Sequence, residues 1–247
     1  MKAKLEICCY NLPSVIIANA VGADSLELCS NPAEGGVTPS IGFVKEALRI
    51  TTIPLYVLVR PRGGHFVFGD EDMGCMIEDI NSLKKYNVAG FVTGALTTEN
   101  KVHIHNTQKL MEACFPLPMR FHRAIDMCNN YSDSIETLVA LSAHSVLTSG
   151  SCASAVEGLN NLSSIQKKFG DKIEIVAAGK INSSNMMEVL NGGVNYLHAA
   201  ILKNNEAQIT THINFNQEAD SNSMNYKITN ETELKSMQTN LQRWNSK

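Results

Sequence analysis

IPLYVLVRPRGGHFVFGDEDMGCMIEDINSL, residues 53–83, contains one full turn of the pattern that decides the fold. PLYVLVR (54–60) is a short, apolar, β-rich run of strand length. RPRGGHF (60–66) breaks it with a proline and two glycines. The acidic GDED then opens a run in which Met73, Met76, Ile77, Ile80 and Leu83 share one helical face.

The same alternation runs along most of the chain. LEICCY (5–10), SLELC (25–29), AGFVTG (89–94) and MRFHR (119–123) read as strands, as do HSVLTSG (144–150), IEIVAAG (173–179) and YLHAA (196–200). Helical spacing recurs between them. Ile135, Leu138 and Val139 follow a capping box of Asp133 with Glu136. Val156, Leu159, Leu162, Ile165 and Phe169 mark another helix. Met186, Met187 and Leu190 follow a cap at Asn182 or Ser183 and stop at Gly192-Gly193. Eight strands alternating with helices predict a TIM-type (β/α)8 barrel, with a doubly wound open sheet as the competing arrangement. One domain is expected over 1–247. Residues 204–226, rich in Asn, Gln, Ser and Thr, read as a polar loop or partly disordered excursion. Leu234, Met237, Leu241 and Trp244 then resume helical spacing and predict a closing helix.

Composition narrows the function. At 247 residues and 44% hydrophobic content the chain can bury a large core, and a net charge of −3 leaves no footprint for nucleic acid. No apolar run approaches the roughly 20 residues of a membrane helix, and none has the form of a signal peptide. Seven cysteines without a CxxC pair predict reduced thiols and a cytoplasmic protein.

Strand alternation assigns faces. It turns Glu6 and Cys8 inward, with Glu27 and Cys29 beside them, and groups Arg60 with Tyr56 and Leu58. His122 shares a side with Arg120, and His198 with Tyr196. A lumen of carboxylates, guanidinium groups, imidazoles and thiols is unusual for a barrel that is ordinarily plugged by Val, Ile and Leu. Two explanations stand: a wet functional mouth, or a structural ion-pair network of Glu6, Glu27, Arg60 and Arg120. In FHRAIDM (121–127), His122, Arg123 and Asp126 suit either an acid–base pair or an Asp–Arg staple. LTSG (147–150) suits either an anion or an ordinary turn. His103 and His105 read as surface histidines, and the paired methionines as packing.

Taken together, LELC, EGGVTPS (34–40), VRPRGGHF (59–66), MIEDI (76–80), FHRAIDMC (121–128) and LTSG resemble the CutC copper-homeostasis family. The resemblance spans about residues 4 to 200 and implies a TIM-type barrel, a cytosolic homo-oligomer such as a homodimer, and a role in copper handling. Glu27, Arg60, Arg62, His122, Arg123 and Asp126 match the family pattern. Departures fall at His65, at Phe68-Gly69, at Ala177–Lys180 and at His198-Ala199, with Lys180 supplying a point charge where a glycine-rich turn is usual.

Two expectations follow. In the first, Cys8 and Cys29 bind Cu(I), which prefers thiolates, with His122 or His198 as a third ligand. In the second, the barrel is an enzyme for a small phosphate- or carboxylate-bearing metabolite. Arg60 and Arg62, with Arg123 and Lys180, would hold the anion, and Glu27, or His122 with Asp126, would move a proton.

Overall fold

Eight short runs, buried on both faces, form the strands of a closed parallel barrel in a computed structural model that describes residues 2–205 and 225–247. In chain order they are β1 (Lys4–Cys9), β2 (Ser25–Leu28), β3 (Leu55–Leu58), β4 (Gly90–Thr93), β5 (Met119–Phe121), β6 (Ser145–Thr148), β7 (Glu174–Ala177) and β8 (Tyr196–Ala199). β1 pairs with both β2 and β8, so the sheet has no open edge and the doubly wound alternative falls away. The helices that cover it are α1 (Leu12–Val21), α2 (Ile41–Ile50), α3 (Asp70–Leu83), α4 (Ile104–Cys114), α5 (Tyr131–Ala140), α6 (Leu159–Phe169), α7 (Met186–Asn191) and α8 (Glu231–Asn245).

The core lies between strands and helices. Leu5, Ile7, Leu26, Leu28, Val57 and Phe91 point outward from the barrel and are fully buried. Each such side chain contributes about 1.5–3 kcal/mol of transfer free energy. In α3, Asp70, Glu71 and Asp72 sit on the positive end of the helix dipole, while Met73, Met76, Ile80 and Leu83 are buried. α8 closes the barrel as expected: Leu234, Met237 and Leu241 are buried against α1 and β1. Asn245 bonds both the N–H and the carbonyl of Ala3.

Local details differ from the sequence reading. α5 is capped by Asn130, whose side chain accepts from the Asp133 N–H, and not by an Asp133–Glu136 box. The earlier start places Tyr131 in the first turn, where its hydroxyl reaches Thr148. Val156 precedes α6 in a turn. α7 begins at Met186, and Asn182 caps the preceding turn through Ser184 N–H. His103 is the N-cap of α4, its Nδ1 accepting from Asn106 N–H.

The polar excursion is partly regular. β9 (Leu202–Asn205) and β10 (Tyr226–Thr229) form an antiparallel ribbon that takes in Asn204, Asn205 and Tyr226. A ladder of backbone bonds needs no apolar pattern, so composition gave no sign of it. Side chains of α1 and its cap fasten the ribbon: Asn11 donates to Lys227 O, and Ser14 Oγ accepts from Thr229 N–H. The rest of that expectation, 206–224, lies outside the described residues. No helix among the described residues is long and apolar enough to cross a membrane.

Candidate functional site

Alternation along the strands places polar groups in the barrel because every second residue must point inward. The lower lumen is an ion-pair plug. Arg120 Nη1 lies 2.6 Å from Glu6 Oε1, and neither side chain reaches solvent. Arg120 Nε donates to Ser145 Oγ, and its guanidinium lies against the rings of Tyr56 and Tyr196 at 4.5 and 5.2 Å. Ser25 donates to Glu6 Oε2 at 2.7 Å, and His198 Nδ1 approaches Glu6 Oε1 at 2.9 Å. Burial alone would raise the Glu6 carboxyl, but Arg120 and His198 outweigh it and hold it well below the usual carboxylate range. The network expected from sequence is therefore present around Glu6 and Arg120. Arg60 is not part of it.

Two thiols lie above the plug. The Sγ atoms of Cys8 and Cys29 are 3.5 Å apart and Cys29 Sγ lies 3.3 Å from Glu27 Oε1, so the single Cys29 proton can turn to either neighbour. The Cys29 hydrogen bond draws the Cys8 thiol down to about 5 against the effect of burial, with further help from His198. Burial pushes Cys29 well above the usual thiol value, and the negative charges of Cys8 and Glu27 add to that. Burial also raises Glu27 to about 7, with His198 opposing and Cys8 reinforcing the shift. Burial opposes charge on His198, but its bond to Cys8 and the carboxylates of Glu27 and Glu6 prevail and raise it to about 10. The surroundings therefore favour ionisation of Cys8 and protonation of His198, and disfavour charge on Cys29 and Glu27.

A cavity of about 350 Å³ opens over these groups at the C-terminal ends of the strands. Tyr10, Leu58 and Phe66 form apolar parts of its wall, while Arg60, Arg123 and Lys180 bring positive charge. Arg60 is committed to neutral partners: Nη1 donates to Glu34 O and Gly36 O, and Nη2 to Gly64 O. Its guanidinium stacks on Phe66 at 4.6 Å, and Nε has no partner. Gly36 allows this packing; its φ is +102°, and a Cβ there would sit 2.8 Å from Leu58 Cδ2. Arg62 does not line the cavity. It pairs with Asp72 at 2.8 Å and donates to Gly63 O, His65 O and Val67 O, which makes it a fastener of its own loop.

His122 lines the cavity but is not joined to Asp126. Both its ring nitrogens are buried without a hydrogen-bond partner, and the ring packs edgewise on Phe66 and Phe121. Burial and nearby Arg60 push its pKa down to about 3, so the imidazole is neutral. Asp126 instead accepts from Thr148 Oγ1, the N–H groups of Ser149 and Ser151, and Arg123 Nε. The staple expected as the alternative is what the loop contains, and it consumes the hydroxyls of LTSG. In the turn after β7, Ser183 N–H donates to Glu233 Oε1 at 2.6 Å, so an internal carboxylate takes that backbone donor.

Tyr10 was missed by the sequence reading, although it continues the inward alternation of Glu6 and Cys8. Glu6, Glu27 and His198 also bring ligand atoms within 4.8 Å of one another. Glu6 is already occupied by Arg120 and Ser25, so the thiols are the donors left for a soft ion.

Comparison with known proteins agrees with the barrel fold. The model of the CutC family matches residues 3–203. Proteins named as family protein CutC from Salmonella enteritidis PT4 and Salmonella typhimurium LT2 are each 38% identical over 198 residues, 80% of this chain and 79% of theirs. A crystal structure of a Streptococcus agalactiae protein named for copper homeostasis, CutC, is 31% identical. It superposes with a TM-score of 0.75 over 79% of this chain and 97% of its own. The N-(5'-phosphoribosyl)anthranilate isomerase of Pyrococcus furiosus, 13% identical with a TM-score of 0.58 over 98% and 99% of the two chains, shares the fold alone.

Proposed function

The chain belongs to the CutC family, and from that premise we propose that it serves copper homeostasis by holding Cu(I) between Cys8 and Cys29. The observation that carries this reading is the 3.5 Å separation of the two thiol sulfurs at the floor of an accessible cavity. Two thiolates sharing an ion at about 2.3 Å each stand about 3.8 Å apart at a tetrahedral angle and about 4.6 Å apart when collinear, so the sulfurs must separate by up to about 1 Å to admit it. Cys8 is already poised as the thiolate, the form that binds metal. Glu27 is placed to take the Cys29 proton when the second bond forms. Arg120 lies below the thiols, so the cation enters from above, past a mouth that Arg60, Arg123 and Lys180 make positive. Free thiols of this kind persist in a reducing, cytoplasmic compartment, where we place the protein.

The test is a Cu(I) titration against a competing chelator under reducing conditions, on wild type, Cys8→Ser and Cys29→Ser. One ion per chain, lost in both variants, is the expected result. Binding indifferent to both serines removes copper from this site.

A second reading has its own support. Glu27, raised to about 7 beside a cavity, is matched to moving a proton for a small anionic metabolite. Such an enzyme would use Glu27 without a His122–Asp126 pair. A screen of phosphorylated and carboxylate metabolites by thermal shift would find its substrate; no stabilisation by any of them would count against it.

A further inference from the structure

A bare copper ion between the two thiols would leave most of the cavity unexplained. It would leave the upper wall of Tyr10, Phe66 and Lys180 without a role. Nor would it use the positive charge above it. Arg60 has no ion pair among the described residues, its bonds going to carbonyls, and Lys180 has none either. Arg123 joins them, half-exposed and tied to Asp126 on one edge. Cations over a soft-donor floor suit a polyatomic ligand that is anionic at one end and soft at the other. The volume of about 350 Å³ is sufficient for a small peptide-sized molecule and far more than an ion requires.

The geometry points to a small thiol carrying carboxylates, which docks its carboxylates on Lys180 and Arg123, beside the charge of Arg60, and delivers Cu(I) from its own sulfur to Cys8 and Cys29. This rests on the copper reading of the thiol pair and names the form in which the ion arrives. The transfer is ligand exchange with no change of oxidation state. The Cys8 thiolate forms a Cu–S bond as one carrier thiolate leaves. Cys29 then forms the second Cu–S bond, gives its proton to Glu27 Oε1, 3.3 Å away, and the second carrier thiolate leaves. Glu27 returns the proton to a departing thiolate.

The experiment compares Cu(I) transfer, by stopped flow at low ionic strength, from its glutathione complex and from its 2-mercaptoethanol complex. Glutathione carries carboxylates and 2-mercaptoethanol carries no charge. Wild type is expected to accept copper about tenfold or more faster from the charged carrier, a preference that salt suppresses. In Lys180→Glu the ratio of the two rates falls toward one. Equal rates in wild type overturn the proposal. A second measurement avoids the copper chemistry altogether: S-methylglutathione, which has the carboxylates but no thiol, should bind wild type in calorimetry and bind Lys180→Glu at least tenfold more weakly. No binding to wild type at millimolar ligand also overturns it. Stoichiometric copper binding without carrier preference sinks this inference alone. Binding of S-methylglutathione without any copper site sinks the copper reading and leaves an anion-binding mouth.

Discussion

Replacing Arg120 with methionine tests the plug beneath the thiols. The substitution keeps an unbranched side chain of comparable length and removes the charge that faces Glu6 at 2.6 Å, along with the bond to Ser145. Removing one partner of a buried ion pair costs about 3–5 kcal/mol, because the remaining charge is left without compensation. Two features set the value near the lower end. Arg120 Nη2 has no hydrogen-bond partner in the folded protein, and Glu6 keeps His198 and Ser25. A loss of about 3 kcal/mol, with a urea slope of about 3 kcal/mol per molar, lowers the unfolding midpoint by about 1 M. Glu6→Gln should cost about the same, by leaving the guanidinium alone. The double variant should cost little more than either single change, giving a coupling of about 2–3 kcal/mol. Urea unfolding followed by circular dichroism reads all three. A single-variant loss under about 1 kcal/mol, or a double variant that sums the two, would show that the pair does not hold the lower barrel.

The copper reading also has a pH signature. Above about 5 Cys8 is ionised and only Cys29 must shed a proton; below about 7 Glu27 already carries one, so apparent Cu(I) affinity should rise about tenfold per pH unit between about 5 and 7, and flatten above 7 where Glu27 takes the proton. Below about 5 both thiols must lose one and the slope should double; a profile flat below about 7 in chelator competition would contradict the assignment. His122→Phe removes two buried nitrogens without partners and should raise stability by up to about 1 kcal/mol in urea. Asp126→Ala should cost about 3 kcal/mol and speed hydrogen exchange at the Ser149 and Ser151 amides, since its carboxylate holds both.

Strand alternation made the barrel legible because the signal is local and repeated. It placed Glu6, Cys8, Glu27 and Cys29 inside, and parallel pairing of β1 with β2 does bring the two thiols together. What it could not show is how donors are spent. Arg60 and Arg62 are satisfied largely by backbone carbonyls of Glu34, Gly36, Gly64, His65 and Val67. A carbonyl is the same at every position of a sequence, so nothing in the residue types marks those loops as acceptors. The His122–Asp126 pair failed for a related reason: adjacency along the chain said nothing of the Ser149 and Ser151 amides that claim the carboxylate from 23 and 25 residues away.

The plug of Glu6 and Arg120 makes the proposed copper site a cul-de-sac. A cation cannot leave downward past a guanidinium sealed between two tyrosine rings. Arrival and departure therefore share the upper opening, and the incoming donor must meet the ion before the old bonds are fully broken. Release would then be set by the concentration and shape of the acceptor rather than by spontaneous loss. A protein built this way exchanges its cargo by handshake and leaks little of it to water.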